Sequence, residues 1–534
     1  MKRTRALAVI LSVTLLAGLL SACGGKPSAE TPAPSGAGVS LPASSVPAPP
    51  DLSAAVQSGS GAAEDAIPLT LSDKSGSVTI REAGTYLLSG TLSDGQILID
   101  APEDAKVKLL LNGVSVTRQG HAALYARSAD KLILSTVSGS VNLLASAGDF
   151  VQVDDKNVDA AVFACCDLTL NGEGILSLSC ETGHGIVSKD DLKLKDGTVN
   201  VAAAKKGLEG KDSLTVEGGS LSVEAGTKGL VSGKDDTAGS ILISGGSVSV
   251  HSRDDAVHCS GSVTVEGGTL LLSSGDDGVH ADESLTVSGG NLNVAQSYEG
   301  LEARVIEIRG GTLSILSSDD GLNAAGGSDG SNGFGPFGGD PFRGDPFRGD
   351  SSASLTISGG SLTVNAEGDG LDSNGLLSVN GGEIYVSGPT RGGNGALDYG
   401  TEGVITGGIL IAVGSADMAE NFGPSSTQGS ILLPVGNQAA GNAVSIADER
   451  GTVLASFRPE KSYQSVVISC PGLEAGESYT VTAGSFTQTL TLDALIYGGG
   501  MGMGGHGMGG FPGGHGGGPG GGPGGQGGGP GRRP

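Results

Sequence analysis

Four short stretches set acids, glycine and an apolar residue in nearly the same order. They are SRDDAVHC from Ser252, SSGDDGVHAD from Ser273, QSYEGLEA from Gln296 and SSDDGLNA from Ser317. Neighbouring copies are about 22 residues apart. Two carboxylates ~5 Å apart repel by roughly 3 kcal/mol at an effective dielectric near 20. A column of them needs raised pKa values, displacement into water, or a bound cation. A Ca2+ ion takes six to eight oxygens at about 2.3–2.6 Å, so oxygens on its opposite sides are about 4.8 Å apart. That is also the spacing of paired strands. Mg2+ fits less well, because it demands a tighter octahedron and keeps its waters. The candidate calcium ligands are Asp254, Asp255, Asp276, Asp277, Glu299, Asp319, Asp320, Asp369 and Asp372. The bland alternative is a solvated acidic corner.

Aligned on the residue after each corner, the preceding position reads His184, Lys206, Lys228, Asp255, Asp277, Glu299, Asp320 and Asp369. The column starts cationic and turns anionic halfway. His258 and His280 sit on two successive units and are expected as stacked surface imidazoles, with nitrogen ligation of another metal as the alternative. Together with Tyr298, Glu302 and Asn323 they are candidates to touch a ligand. A second column, Lys189-Asp190, Lys211-Asp212 and Lys234-Asp235, reads as a self-compensating charge ladder. Exposed pairs of this kind contribute only about 0.2–1 kcal/mol each.

What must position these residues is a repeat. SLTVEGGSLSVEAGTKGLVSGKD from Ser213 has aligned copies from Leu192, Ser240, Ser262, Ser284, Val305, Ser354 and Leu376. Each unit holds two alternating runs, such as Leu214/Val216 and Leu221/Val223, around Gly218-Gly219, then a third apolar site at Leu230. Alternation turns Leu, Val and Ile inward and Thr, Ser and Glu outward. One unit cannot bury its own apolar face, but stacked units can. Three short strands per coil predict an all-β parallel β-helix over 65–414. The looser run from Lys106 reads as its first coils plus an N-terminal cap. Residues 415–496 read as antiparallel strands forming a cap over the open end.

Lys2, Arg3 and Arg5 precede ALAVILSVTLLAGLL, which ends at Leu20-Ser21-Ala22-Cys23. This predicts a lipoprotein signal peptide over 1–22, with lipid attached to Cys23. The expected location is outside the cytoplasm, anchored to a bacterial membrane. A Ser/Pro/Ala tether follows over 23–64. The Gly-rich stretch 326–351 should loop out between coils, and the Gly-rich tail 497–534 should be disordered. The net charge of −26 argues against nucleic acid, which needs a basic footprint. A monomer is expected. Cys165, Cys166, Cys180, Cys259 and Cys470 have no metal-binding spacing and read as small buried hydrophobes, a Cys165 or Cys166 link to Cys180 being weakly supported.

GTYLLSGTLSDGQILIDA from Gly84, SKDDLKL from Ser188, GLEGKDSLTVEGGSL from Gly207, the DDG corners and FRPEKSYQSVVISCPGLEAGESYTV from Phe457 carry a resemblance. Over about residues 65–496 the chain resembles clostridial cell-surface carbohydrate-binding proteins with a calcium-bearing right-handed parallel β-helix similar to one group of pectate lyases. The resemblance implies binding of plant cell-wall polysaccharide, such as cellulose or pectic acids, without demonstrated cleavage. The chain departs from it at His184, Lys206 and Lys228, where the acidic corner is missing. Tyr298 and Tyr385 are the only evident rings for sugar stacking. A lyase is the alternative: a lysine, such as Lys206, Lys228 or Lys234, would take the proton α to a uronate carboxylate that calcium acidifies. An envelope-structural or adhesive protein is a further one.

Overall fold

A computed structural model describes residues 46–59, 65–73, 76–234, 237–325 and 352–499. The signal peptide, Cys23, the 326–351 insertion and nearly all of the 497–534 tail lie outside these residues. Among the described residues every regular element is a β-strand. The strands wind into a parallel solenoid of about 13 turns.

One coil shows the rule. Ser213–Val216, Ser220–Ala225 and Leu230–Ser232 are its three strands. Each pairs in parallel with its counterpart in the next coil, so like stacks on like. Leu214 lies on Ile241, Val223 on Val250, and Leu230 on Val257. These inward Leu, Ile and Val side chains are essentially fully buried in one continuous core. Burying each is worth about 1.5–3 kcal/mol relative to exposure. The corner between the first two strands turns at Gly219, whose φ of +78° favours glycine. A Cβ there would also lie 2.5 Å from the Gly197 carbonyl oxygen one coil below. Around the insertion the stack continues undisturbed: Val305 pairs with Ser354 and Leu322 with Leu371.

Parallel pairing already joins Ile67–Leu71 to Gly84–Leu92, within the span 65–414. Two expectations need correction. Part of the supposed tether is laid along the solenoid. Gln57 forms an antiparallel bridge with Val141, Gly59 N–H donates to Asn112 Oδ1 at 2.6 Å, and Asn200 donates to the Asp51 carbonyl at 3.3 Å. Tyr497, read as the first residue of the tail, still pairs with Ile431, next to the Ile496–Ser430 pair.

The last coil strand, paired in parallel with the coil before it, is Glu402–Gly414. Tyr463–Ser469 then adds to it antiparallel, followed by Ser430–Gln438. A separate four-stranded antiparallel sheet holds Val444–Asp448, Val453–Phe457, Ser478–Ala483 and Phe486–Thr491. Its core includes Phe457 and Tyr463, packed with Tyr385, Ile411 and Val413. The cap therefore covers the outer face of the last coils as well as the end. Tyr385 stacks on Phe457 at 5.2 Å and is buried, so it is not the exposed ring expected from the sequence. Among the described residues all five cysteines are unpaired; four are buried and Cys165 is half-buried.

Candidate functional site along one corner

The third corner is built by glycine. A Cβ on Gly300 would fall 2.2 Å from the Gly321 carbonyl oxygen and 2.2 Å from Ile315, so no larger residue fits without movement. Backbone hydrogen bonds lock the rungs in register. Gly278 N–H donates to the Glu299 carbonyl, Gly300 to Asp320, and Gly321 to Asp369, at 3.0, 2.9 and 2.8 Å. The column inferred from sequence is therefore real. Three residues further on, His258, His280, Glu302, Asn323, Asp372 and Asp398 stack as a second column. The two columns face one another across the corner.

The first part of the stripe is neutralised by the chain itself. Lys228 Nζ contacts Asp255 Oδ2 and lies 3.2 Å from Asp254 Oδ1. His258 Nδ1 is 2.8 Å from Asp255 Oδ2. Burial favours a neutral Asp255, but His258 and Lys228 outweigh it and hold the carboxyl well below the usual range. Burial likewise opposes the charge on Lys228, yet Asp255 and Asp254 raise its pKa. The ammonium occupies the point where Asp254 and Asp255 would bind an ion, so these two acids need no divalent counterion. His280 lies against Asp277 at 3.0 Å, Glu302 at 2.6 Å and Asp282 at 3.1 Å. Those acids overcome its burial and raise its pKa. His280 does stack on His258, at 5.0 Å, but it is only 2% exposed and not a surface imidazole.

The second part differs. Among the described residues no ion pair reaches Glu299, Asp320, Asp369, Asp372 or Asp398 with a lysine, arginine or histidine. Burial, helped by neighbouring acids, pushes Glu299 up to about 9, Asp320 to about 6, Asp369 to about 7 and Asp372 to about 8. Asp320, Asp369 and Asp372 each bring a carboxylate oxygen within 4.8 Å of the others. Asp320 and Asp369 also accept a backbone N–H from the next rung, from Asp369 and Gly395 respectively. Such a set of hard oxygens fits a calcium ion. Tyr298 is 47% exposed at the rim, and a hydrogen bond to Asp319 pushes its phenol up to about 12. Asn323 donates to Glu299 at 2.9 Å. Asp276 lies with Asp254 and Asp255 in the neutralised part.

The cationic start of the column is also paired, Lys206 with Glu209 at 3.1 Å and His184 with Asp159 at 3.5 Å. The supposed lysine–aspartate ladder is not self-compensating at every rung. Burial and then Asp167, Asp212 and Asp191 raise the Asp190 pKa. Sequence reasoning missed Asp398 and Glu420. Glu420 is pushed up to about 7 by burial and by Asp398. Gly395-Ala396-Leu397-Asp398 repeats the Gly370-Leu371-Asp372 ending, which was the available signal. On the outer face of the second sheet, just before this corner, lies a trough of about 540 Å³. Ala202 and Ala204 floor it, and Glu181, Glu224, His251 and Arg253 line it.

Residues 74–325 match the family described as carbohydrate-binding domain-containing protein. The match spans a little under half of the chain. A protein of the same description from Acetivibrio thermocellus is 34% identical over 128 residues, 24% of this chain. The chain spans 45% of that relative's length. A solved structure described as the polysaccharide lyase-like protein from C. thermocellum, gadolinium derivative, is 30% identical with a TM-score of 0.39, covering 41% of this chain and 90% of that one. The matched segment contains most of the corner, from His184 to Asn323, while Asp369, Asp372 and Asp398 lie beyond it.

Proposed function

We propose that this protein is a lipid-anchored, extracytoplasmic binder of cell-wall or acidic polysaccharide, and that calcium at the corner completes its binding surface. The observation that carries the calcium reading is the convergence of Asp320, Asp369 and Asp372 without a cationic side chain, beside rungs where Lys228 and His280 supply one. Calcium held there would offer open coordination to uronate carboxylates and hydroxyls. The chain's own residues supply the rest. The trough between Glu181 and Arg253 accepts part of an extended glycan, and its small floor lets the chain approach the sheet. Exposed Tyr298 offers a ring face beside the acids. The membrane anchor is Cys23, and the segment after it carries the solenoid away from the lipid.

Binding without cleavage is favoured by the state of Lys228. A lyase base must be neutral to take a proton. Asp254 and Asp255 hold this ammonium charged and turned into the corner. Affinity electrophoresis in polygalacturonate, with Ca2+ and then with chelator, tests the reading together with an absorbance assay for unsaturated uronate. Retardation in calcium with no absorbing product is expected. Product formation that disappears in Lys228→Ala would establish the lyase in its place.

A further inference from the structure

Asp277, His280 and Glu302 meet around one point, and their donor set differs from the all-oxygen cluster two rungs on. Their ligand atoms lie within 4.8 Å of one another, and all three residues are buried. His280 directs Nδ1 at Asp277 Oδ2 and Glu302 Oε2, at 3.0 and 2.6 Å. Its other nitrogen, Nε2, faces Asp282 Oδ1 at 3.1 Å. A metal-bound histidine almost always gives its second ring N–H to a carboxylate or carbonyl, which fixes the tautomer and the ring plane. Stacking on His258, with 14° between the rings, holds the plane from one side.

We propose that Asp277, His280 and Glu302 bind a divalent transition-metal ion of the Zn2+ type, with Asp282 orienting the histidine from behind. Imidazole nitrogen suits zinc and its neighbours, whereas calcium prefers oxygen alone. Three protein ligands leave a fourth position for water or a ligand oxygen. Tetrahedral bonds of about 2.0–2.1 Å place neighbouring donors roughly 3.4 Å apart, so entry of the ion moves Asp277 Oδ2 and Glu302 Oε2 away from Nδ1 by about 0.4 and 0.8 Å. The ion replaces the proton on Nδ1, which leaves to the buffer.

The rung before shows why the site is here. Asp255 and His258 repeat the Asp-x-x-His spacing, but Lys228 Nζ lies 3.3 Å from His258 Nδ1 and fills the position. There the residue across is His280, a second base, where His280 itself faces the Glu302 carboxylate. One rung further the ring is gone, and Glu302 stacks on Asn323. Of these rungs, the one at Asp277 places a nitrogen between two carboxylates with no lysine among them. Zinc here takes over from the protonated His280 the neutralisation of Asp277 and Glu302, so neither state of this rung changes the calcium reading at Asp372.

The test is calorimetric titration of Zn2+ into the full chain, in excess Ca2+, with His506→Ala and His515→Ala removing the tail imidazoles. One Zn2+ per chain is expected, with an enthalpy that varies with buffer as protons are released. His280→Gln should abolish binding, Asp282→Asn should weaken it about 10–100-fold, and Asp372→Asn should leave it unchanged. Melting curves identify any variant that fails to fold. If His280→Gln is one, Asp282→Asn decides, since that side chain is 41% exposed. No stoichiometric binding, or binding unaltered in both His280→Gln and Asp282→Asn, overturns the assignment.

Discussion

Replacing Asp372 by asparagine should stabilise the protein in chelator and destabilise it in calcium. In the folded chain burial and the neighbouring acids push the Asp372 carboxyl from 3.8 up to about 8. A tenfold change in proton affinity corresponds to about 1.36 kcal/mol, so ionising the group in place costs on the order of 5 kcal/mol before relaxation. Water entry and side-chain movement reduce that, and a net gain of about 1–3 kcal/mol is expected for Asp372→Asn at pH 8 without divalent cations. Calcium reverses the sign. An ion at 100 times its dissociation constant stabilises the native state by about 2.7 kcal/mol, and a site short of one ligand loses most of that. Differential scanning calorimetry of both proteins, at pH 8 in EDTA and in saturating Ca2+, should show the melting temperatures cross. If the variant melts lower in both, or if both gain equally from calcium, the reasoning about buried unneutralised acids is wrong.

Without calcium the wild type should also respond to pH. Glu299, Asp320, Asp369 and Asp372 have folded pKa values of about 9, 6, 7 and 8, all above their ordinary ones of 4.5 and 3.8. The native state then holds more protons than the unfolded chain, so stability falls as pH rises from about 4 to 9. In EDTA the melting temperature should drop across that window, and saturating calcium should flatten the curve. Lys228→Met strips the counter-charge from buried Asp255 and should cost about 3–5 kcal/mol by chemical denaturation. Gly300→Ala should impair folding, because its Cβ meets backbone 2.2 Å away; circular dichroism and soluble yield report it. Cys23→Ser should move the protein from the membrane fraction to the medium or the soluble fraction, read by immunoblot.

Much of the fold was legible because the repeat is regular. A 22-residue period with strict alternation fixes register, and register places Asp255, Asp277 and Glu299 in one column whatever the loops do. The second column follows from the same spacing. The pairing within the corner was not legible. Whether Lys228 projects into solvent or reaches along the stack to Asp254 and Asp255 depends on a rotamer and on depth of burial. The same holds for His280, whose neighbours bury it although its sequence context matches that of the less buried His258. Tyr385 was misread because the surface that covers it comes from Phe457, far along the chain. The strand-like contacts of residues 46–59 were hidden by a Ser/Pro/Ala composition that carries no period.

Anomalous scattering from crystals grown in calcium is the most direct measurement. A single peak is predicted in contact with carboxylate oxygens of Asp320, Asp369 and Asp372, at about 2.3–2.6 Å, and none beside Lys228 Nζ. Crystals saturated with calcium that showed no peak at those three acids, or showed one displacing the Lys228 ammonium, would contradict the division of the corner into self-neutralised and ion-requiring halves.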